Sequence, residues 1–202
     1  MGIQKKAVVV GGSNGIGLAI SKGLIERGYF LEICDRSGPD DGVLDANFYH
    51  HNYCDLLDFD EDLFYSLAAD QDVDLLMVTA GIGRVADFQF HHTAEIEKML
   101  TVDTVSTIKI FRIFYDRILK DDCFYAGVMG SISGWMSTPS AAVYAAAKAG
   151  VVRFVESVNI ELEAYGSNNR ILDVSPASFK GSKFYGGKND LSITGLLAEQ
   201  IL

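Results

Sequence analysis

The chain alternates short apolar runs with longer segments whose apolar residues recur at helical spacing. Residues 7–10 form a continuous apolar run that predicts a strand, and 16–27 follow at the spacing of a helix. Strands are predicted again at 29–35, 48–53 and 73–79, with a helix at 59–69 between the last two. One long helical stretch covers 93–119, with a break near Val102. A fifth strand at 123–131, a long helix at 143–165 and a sixth strand at 170–175 complete the rhythm, and 195–202 reads as the start of an apolar-faced helix. The strand runs read as continuous apolar stretches that do not alternate, the two histidines of 48–53 making that run the least clear, and this is the pattern of burial on both faces. Strands joined through helices imply right-handed crossovers and a parallel sheet. The expected fold class is therefore α/β, a Rossmann-type doubly wound parallel sheet, in a single domain spanning 1–202. Residues 37–45 read as an exposed Asp/Gly loop, and 177–193, aperiodic and glycine-bearing, as a mobile substrate loop.

Composition narrows the partners. With 202 residues, 49% of them apolar, the chain can close a substantial core. Seventeen basic against twenty-seven acidic side chains give a net charge of −10, which leaves no general footprint for nucleic acid or anionic lipid. No apolar run is long enough to cross a membrane. Cys34, Cys54 and Cys123 lack CxxC spacing and sit in apolar runs; they read as buried free thiols, and the expected location is cytoplasmic. The adjacent pairs His50-His51 and His91-His92 do not converge on one ion, so no metal is expected.

One local anion site stands out against that acidity. Gly11-Gly12-Ser13-Asn14-Gly15-Ile16-Gly17 links the first strand to the first helix. A turn there aims backbone N–H groups and the positive end of the helix dipole at one point, and glycine removes side chains that would obstruct a pyrophosphate. Asp35 closes the second strand, where a carboxylate accepts hydrogen bonds from an adenosine ribose and repels a 2′-phosphate. NAD(H) is favoured on that ground, helped by the nearby Asp40, Asp41 and Asp45. Arg36, beside Asp35, keeps NADP(H) as the alternative.

A second constellation lies downstream. Ser131 ends the fifth strand, where open α/β sheets place ligands. Tyr144 and Lys148 are one helical turn apart on the following helix and share a face. An ammonium near a phenol favours the phenolate, and such a tyrosine exchanges protons with an alcohol or carbonyl. Ser131 is placed to hydrogen-bond the same substrate oxygen.

Taken in order, these motifs resemble the short-chain dehydrogenase/reductase family over residues 6–176. The matching pieces are Gly11-x3-Gly15-Ile16-Gly17, Asp35, Asp55, Asp74-Leu-Leu-Met-Val-Thr-Ala-Gly81, Gly130-Ser131-x2-Gly134, Tyr144-x3-Lys148-Ala-Gly150 and Val174-Ser-Pro176. The stretch around Tyr144 is similar to the β-ketoacyl carrier-protein reductase branch. The resemblance implies an enzyme that moves a hydride between a nicotinamide dinucleotide and a small alcohol or carbonyl. It implies Tyr144 as general acid and base, Lys148 as the group that lowers the tyrosine pKa and binds the nicotinamide ribose, and Ser131 as the residue that polarises the carbonyl. Gly11, Ser13, Asn14, Gly15, Ile16 and Gly17 would wrap the pyrophosphate and adenosine ribose. Asp55 and Leu56 would meet the adenine, Ala80, Gly81 and Ile82 would line the groove, and Pro176 would approach the nicotinamide.

The departures are specific. The family's fourth catalytic residue, an asparagine, falls on Asp103, which can keep the asparagine's backbone role but adds charge near Lys148. Two amides that brace the family's sheet are replaced in Val78-Thr79-Ala80-Gly81, where Thr79 retains a hydroxyl. The threonine expected after Pro176 is replaced by Gly181, beside Ser182, and the family's final strand is expected to be absent or truncated. The helices at 101–119 and 143–165 are apolar over more than one face, and in the family they form the subunit interface, so a homodimer or homotetramer is expected. Trp135 and Met136 either line the substrate pocket or pack in the core. A nucleotide-binding regulator or scaffold with little catalysis is the rival to an enzyme.

Overall fold

The computed structural model describes residues 5–177 and 190–202. The six strands are β1 (Lys6–Val10), β2 (Phe30–Asp35), β3 (Tyr49–Tyr53), β4 (Val73–Val78), β5 (Tyr125–Met129) and β6 (Ile171–Val174), with β3-β2-β1-β4 adjacent in that order and β5 beside β6. They alternate with the helices α1 (Gly15–Glu26), α2 (Glu61–Ala69), α3 (Thr93–Leu100), α4 (Ser106–Lys120), α5 (Ala142–Ala164) and α6 (Leu191–Ile201). The α/β class and parallel pairing expected from the sequence are what forms. Among the described residues the chain groups into two compact units, one of 5–55, 60–80 and 190–202, the other of 56–59 and 81–177.

In the first unit β1 pairs in parallel with β2 and β4, and β2 with β3. Ala7, Val8, Val9 and Val10 are all buried although successive residues point to opposite faces, so both faces of β1 are covered. The same holds for Leu75–Val78 of β4. Helix α1 buries Ile16, Leu18, Ile20 and Leu24 and is packed in turn by α6. Helix α6 begins earlier than the apolar pattern suggests, because the Asp190 carboxylate accepts from the Ser192 N–H and caps its first turn. Residues 191–193 are thus helical, while 178–189 of the expected substrate loop, with Phe179, Gly181, Ser182, Phe184 and Tyr185, lie outside the described residues.

In the second unit β5 pairs in parallel with β6, and α5 packs on β6 and α4. The expected break near Val102 is a π-helical turn, Thr101–Val105, between α3 and α4. It is held by hydroxyls: Ser106 Oγ donates to the Thr101 carbonyl at 2.7 Å and Thr107 Oγ1 to the Asp103 carbonyl at 2.9 Å. Phe111, Phe114, Ile110 and Ile118 of α4 are buried, whereas Val105 and Ile108 face outward.

One cysteine departs from expectation. Cys34 and Cys54 are buried free thiols, but Cys123 is exposed, because it occupies the tight turn into β5 with φ +67°. Among the described residues no helix is long and apolar enough to cross a membrane.

Candidate active site

The first unit carries the glycine turn. Gly11 has φ +84°, and a Cβ there would lie 2.6 Å from the Ala80 nitrogen. At Gly17 a Cβ would lie 2.1 Å from the Gly11 carbonyl oxygen and 2.4 Å from Thr79 Oγ1. Both positions must be glycine for the turn to fold back on β4. Thr79 takes over bracing from the absent amides: its hydroxyl lies 3.0 Å from the Val10 carbonyl and 3.1 Å from that of Gly11. Asp35, at the end of β2, is tied to the turn. Its carboxylate accepts from the Ser13 N–H at 3.2 Å and the Arg36 N–H at 2.8 Å, while the Arg36 side chain is exposed. Asn14, Gly15 and Ile16 open α1, and Asp55 lies half-buried just past β3.

This turn fits a dinucleotide on a structural ground. Ser13 Oγ is buried with no hydrogen-bond partner, and a buried hydroxyl without one carries an uncompensated desolvation cost that a polar ligand atom would remove. The helix N-terminus beside it favours a phosphate for the same position.

The second unit carries the reacting groups. Ser131 follows β5, is buried, and its Oγ accepts from the Ser133 N–H at 3.2 Å. Tyr144 and Lys148 sit on the first turns of α5, with the Lys148 ammonium 5.8 Å from the Tyr144 ring centroid. Lys148 is buried, and its Nζ donates to the Met129 carbonyl at 2.9 Å. Asp103 arrives from the π-helical turn, which Thr104 fastens to α5 by donating to the Ala147 carbonyl at 2.8 Å. One Asp103 oxygen accepts from the Ile82 N–H at 2.7 Å; the other lies 3.8 Å from Lys148 Nζ and has no hydrogen bond. The expected backbone role of Asp103 is partly taken, since its carbonyl already accepts from Thr107. Gly81 closes over the pair, its Cβ position being 3.3 Å from Lys148 Nζ. Leu56 is buried and offers its carbonyl to Ser106, and Pro176 accepts from the Ile132 N–H at 3.2 Å.

Burial sets the electrostatics. Desolvation raises Asp103 to about 6, against the pull of Lys148 and the Ile82 N–H. Desolvation also lowers Lys148, against the attraction of Asp103 and Asp173. Both members of the pair are pushed toward their neutral forms.

Sequence reasoning missed Asp173. It stands on β6 with Oδ1 2.1 Å from where a Gly130 Cβ would be, and it is a second carboxylate acting on Lys148. Burial raises its pKa. The cue available was the unusual Asp in an otherwise apolar strand run, Ile171-Leu-Asp-Val174. The two β3 histidines point apart, as neighbours on a strand do: His50 meets the Glu32 carboxylate and His51 the Asp35 carbonyl. Among the described residues no three His, Cys, Asp or Glu side chains group as metal ligands.

The profile of the short chain dehydrogenase family matches residues 5–185. Carbonyl reductase family member 4 of Xenopus tropicalis is 29% identical over 179 residues, covering 86% of this chain and 75% of that one. Dehydrogenase RED2 of Cochliobolus heterostrophus is 28% identical over 165 residues, covering 79% of this chain and 61% of that one. The 3-oxoacyl-acyl-carrier-protein reductase FabG of Salmonella typhimurium is 27% identical over 170 residues, covering 80% and 69%. The chain thus spans roughly three-fifths to three-quarters of the length of these relatives. The alcohol dehydrogenase of the archaeon Thermococcus sibiricus, complexed with 5-hydroxy-NADP, superimposes with a TM-score of 0.78 at 21% identity, covering 98% of this chain and 88% of that one. ElxO with NADP bound gives 0.81 at 16% identity, covering 98% and 90%. Those two likenesses are of fold. The profile match over most of the chain shows that it belongs to the short-chain dehydrogenase family.

Proposed function

We propose that the chain is an oxidoreductase that interconverts a small alcohol and its carbonyl with a nicotinamide dinucleotide. The observation that carries this reading is the buried Lys148, held beside Tyr144 and hydrogen-bonded to the end of β5 next to Ser131. In reduction Tyr144 donates its phenolic proton to the substrate oxygen as negative charge builds there; in oxidation it withdraws that proton. In its protonated form, which Asp103 and Asp173 favour against burial, Lys148 promotes the phenolate, and Ser131 donates a hydrogen bond to the same substrate oxygen. Asp103 holds the Ile82 N–H and sets the field at Lys148. The dinucleotide would be held by Gly11 through Gly17, Asp35, Asp55, Leu56, Ala80, Gly81, Ile82 and Pro176, and when bound supplies or accepts the hydride.

NAD(H) is the preferred cofactor in this reading, because Asp35 presents a carboxylate at the turn where a 2′-phosphate would add like charge. The NADP in the related structures favours NADP(H) as the second reading, with exposed Arg36 as its partner. A homodimer or homotetramer is supported by outward-facing Val105, Ile108 and Ile160. The buried thiols of Cys34 and Cys54 fit a cytoplasmic location.

The test is turnover of a ketone panel with NADH and with NADPH, repeated with Tyr144→Phe. Turnover that depends on the phenol and prefers NADH is expected. Turnover that survives Tyr144→Phe sinks the mechanism. Tight dinucleotide binding without turnover supports a regulator, a reading favoured by the carboxylate of Asp103.

A further inference from the structure

Directly after Ser131 the chain makes a tight turn, 132–134, and exposes three large apolar side chains in the turn and just past it. Ile132 is 40% exposed, Trp135 55% and Met136 53%. Exposed clusters of this kind mark binding surfaces more often than scattered single residues do. This one lies beside the reacting groups: Gly134 lies flat against α5, where a Cβ would be 2.8 Å from the Lys148 carbonyl oxygen. The indole is also held in place. Trp135 Nε1 donates to Ser175 Oγ at 3.2 Å, and the Ser175 hydroxyl donates in turn to the Asp173 carboxylate at 3.0 Å. Asp173 and Ser175 belong to β6 and its exit, and the Ile132 N–H joins the same exit through the Pro176 carbonyl. A tryptophan fixed by its N–H with its ring left in solvent offers a flat apolar wall at low conformational cost.

Resting on the oxidoreductase reading above, we propose that Trp135, fixed by Ser175 and Asp173, determines specificity by packing against an apolar or aromatic group that flanks the substrate's reacting carbon. The preferred substrates are then ketones or secondary alcohols with a bulky apolar arm. Small polar carbonyls are poor substrates because they leave the wall wet.

Trp135 is the single tryptophan of the chain, so its emission reports on the wall alone. Titration of the full protein with cyclohexylmethanol, an apolar alcohol, is expected to shift that emission to the blue and to saturate. Replacing Trp135 by Ala is expected to lower kcat/KM for 2-heptanone at least tenfold, mainly through KM, and to change that for acetone less than threefold. Trp135→Phe keeps an apolar ring and is expected to recover most of the loss. Ser175→Ala removes the anchor and is expected to weaken the discrimination between the two ketones.

A saturable shift without turnover of any ketone leaves the apolar site standing and overturns the reaction assigned above. Turnover with an unshifted emission, or with equal losses for both ketones in Trp135→Ala, overturns the specificity role and leaves the reaction intact.

Discussion

Asp103→Asn isolates the charge that sets this chain apart from the family pattern. The amide oxygen can still accept from the Ile82 N–H, so the change removes charge and little else. At 3.8 Å the Coulomb attraction between Asp103 and Lys148 is roughly 1 kcal/mol at the dielectric of water and about 4 kcal/mol at an effective value near 20. Burial outweighs that attraction, because the carboxyl titrates at about 6 instead of 3.8. A carboxyl whose folded pKa is raised stabilises the fold fully below its unfolded value and loses that contribution as pH rises through the folded one. Between about pH 5 and pH 8 the wild-type chain therefore loses stability, on the order of 1 kcal/mol, that the asparagine variant keeps. Urea unfolding of both proteins across that range measures the difference. Parallel stability curves, or a variant that becomes relatively weaker at alkaline pH, would refute the view that burial dominates the pair.

Other consequences follow from the turn and its supports. Gly17→Ala puts a methyl 2.1 Å from the Gly11 carbonyl oxygen and is expected to cost roughly 1–3 kcal/mol or more, read as a lower Tm together with lost NADH binding. Thr79→Val removes the hydroxyl that reaches Val10 and Gly11 and is expected to cost roughly 0.5–1.5 kcal/mol in chemical denaturation. Asp35→Ser removes the carboxylate at the turn and is expected to narrow the ratio of NADPH to NADH dissociation constants about tenfold; an unchanged ratio would assign cofactor choice elsewhere.

The central strands were legible because their apolar runs are buried on both faces, as Ala7–Val10 and Leu75–Val78 show, and the helices because each presents its own period. The break near Val102 was visible in the pattern, but its π form depends on hydroxyl bonds from Ser106 and Thr107 that no periodicity encodes. The start of α6 was missed because one capping carboxylate, Asp190, outweighs the weak apolar signal of its first turn. At the site, spacing alone put Tyr144 and Lys148 on one face. Spacing could not reveal Asp173, which stands on β6 against Gly130 and acts on the charge of Lys148 from a different element. Nor could it show the Trp135–Ser175 bond, which joins two loops forty residues apart.

The central claim is that Tyr144 and its neighbours carry hydride exchange between a dinucleotide and a carbonyl carbon. NADH deuterated at the reactive nicotinamide carbon, incubated with the protein and 2-heptanone, tests it by mass spectrometry of the product. The account predicts an alcohol with one deuterium on the former carbonyl carbon, formed by the wild-type chain and reduced by roughly two to four orders of magnitude in Tyr144→Phe. Deuterated alcohol formed equally well without the phenol, or none formed by the wild-type protein from any ketone or with either cofactor, would contradict it.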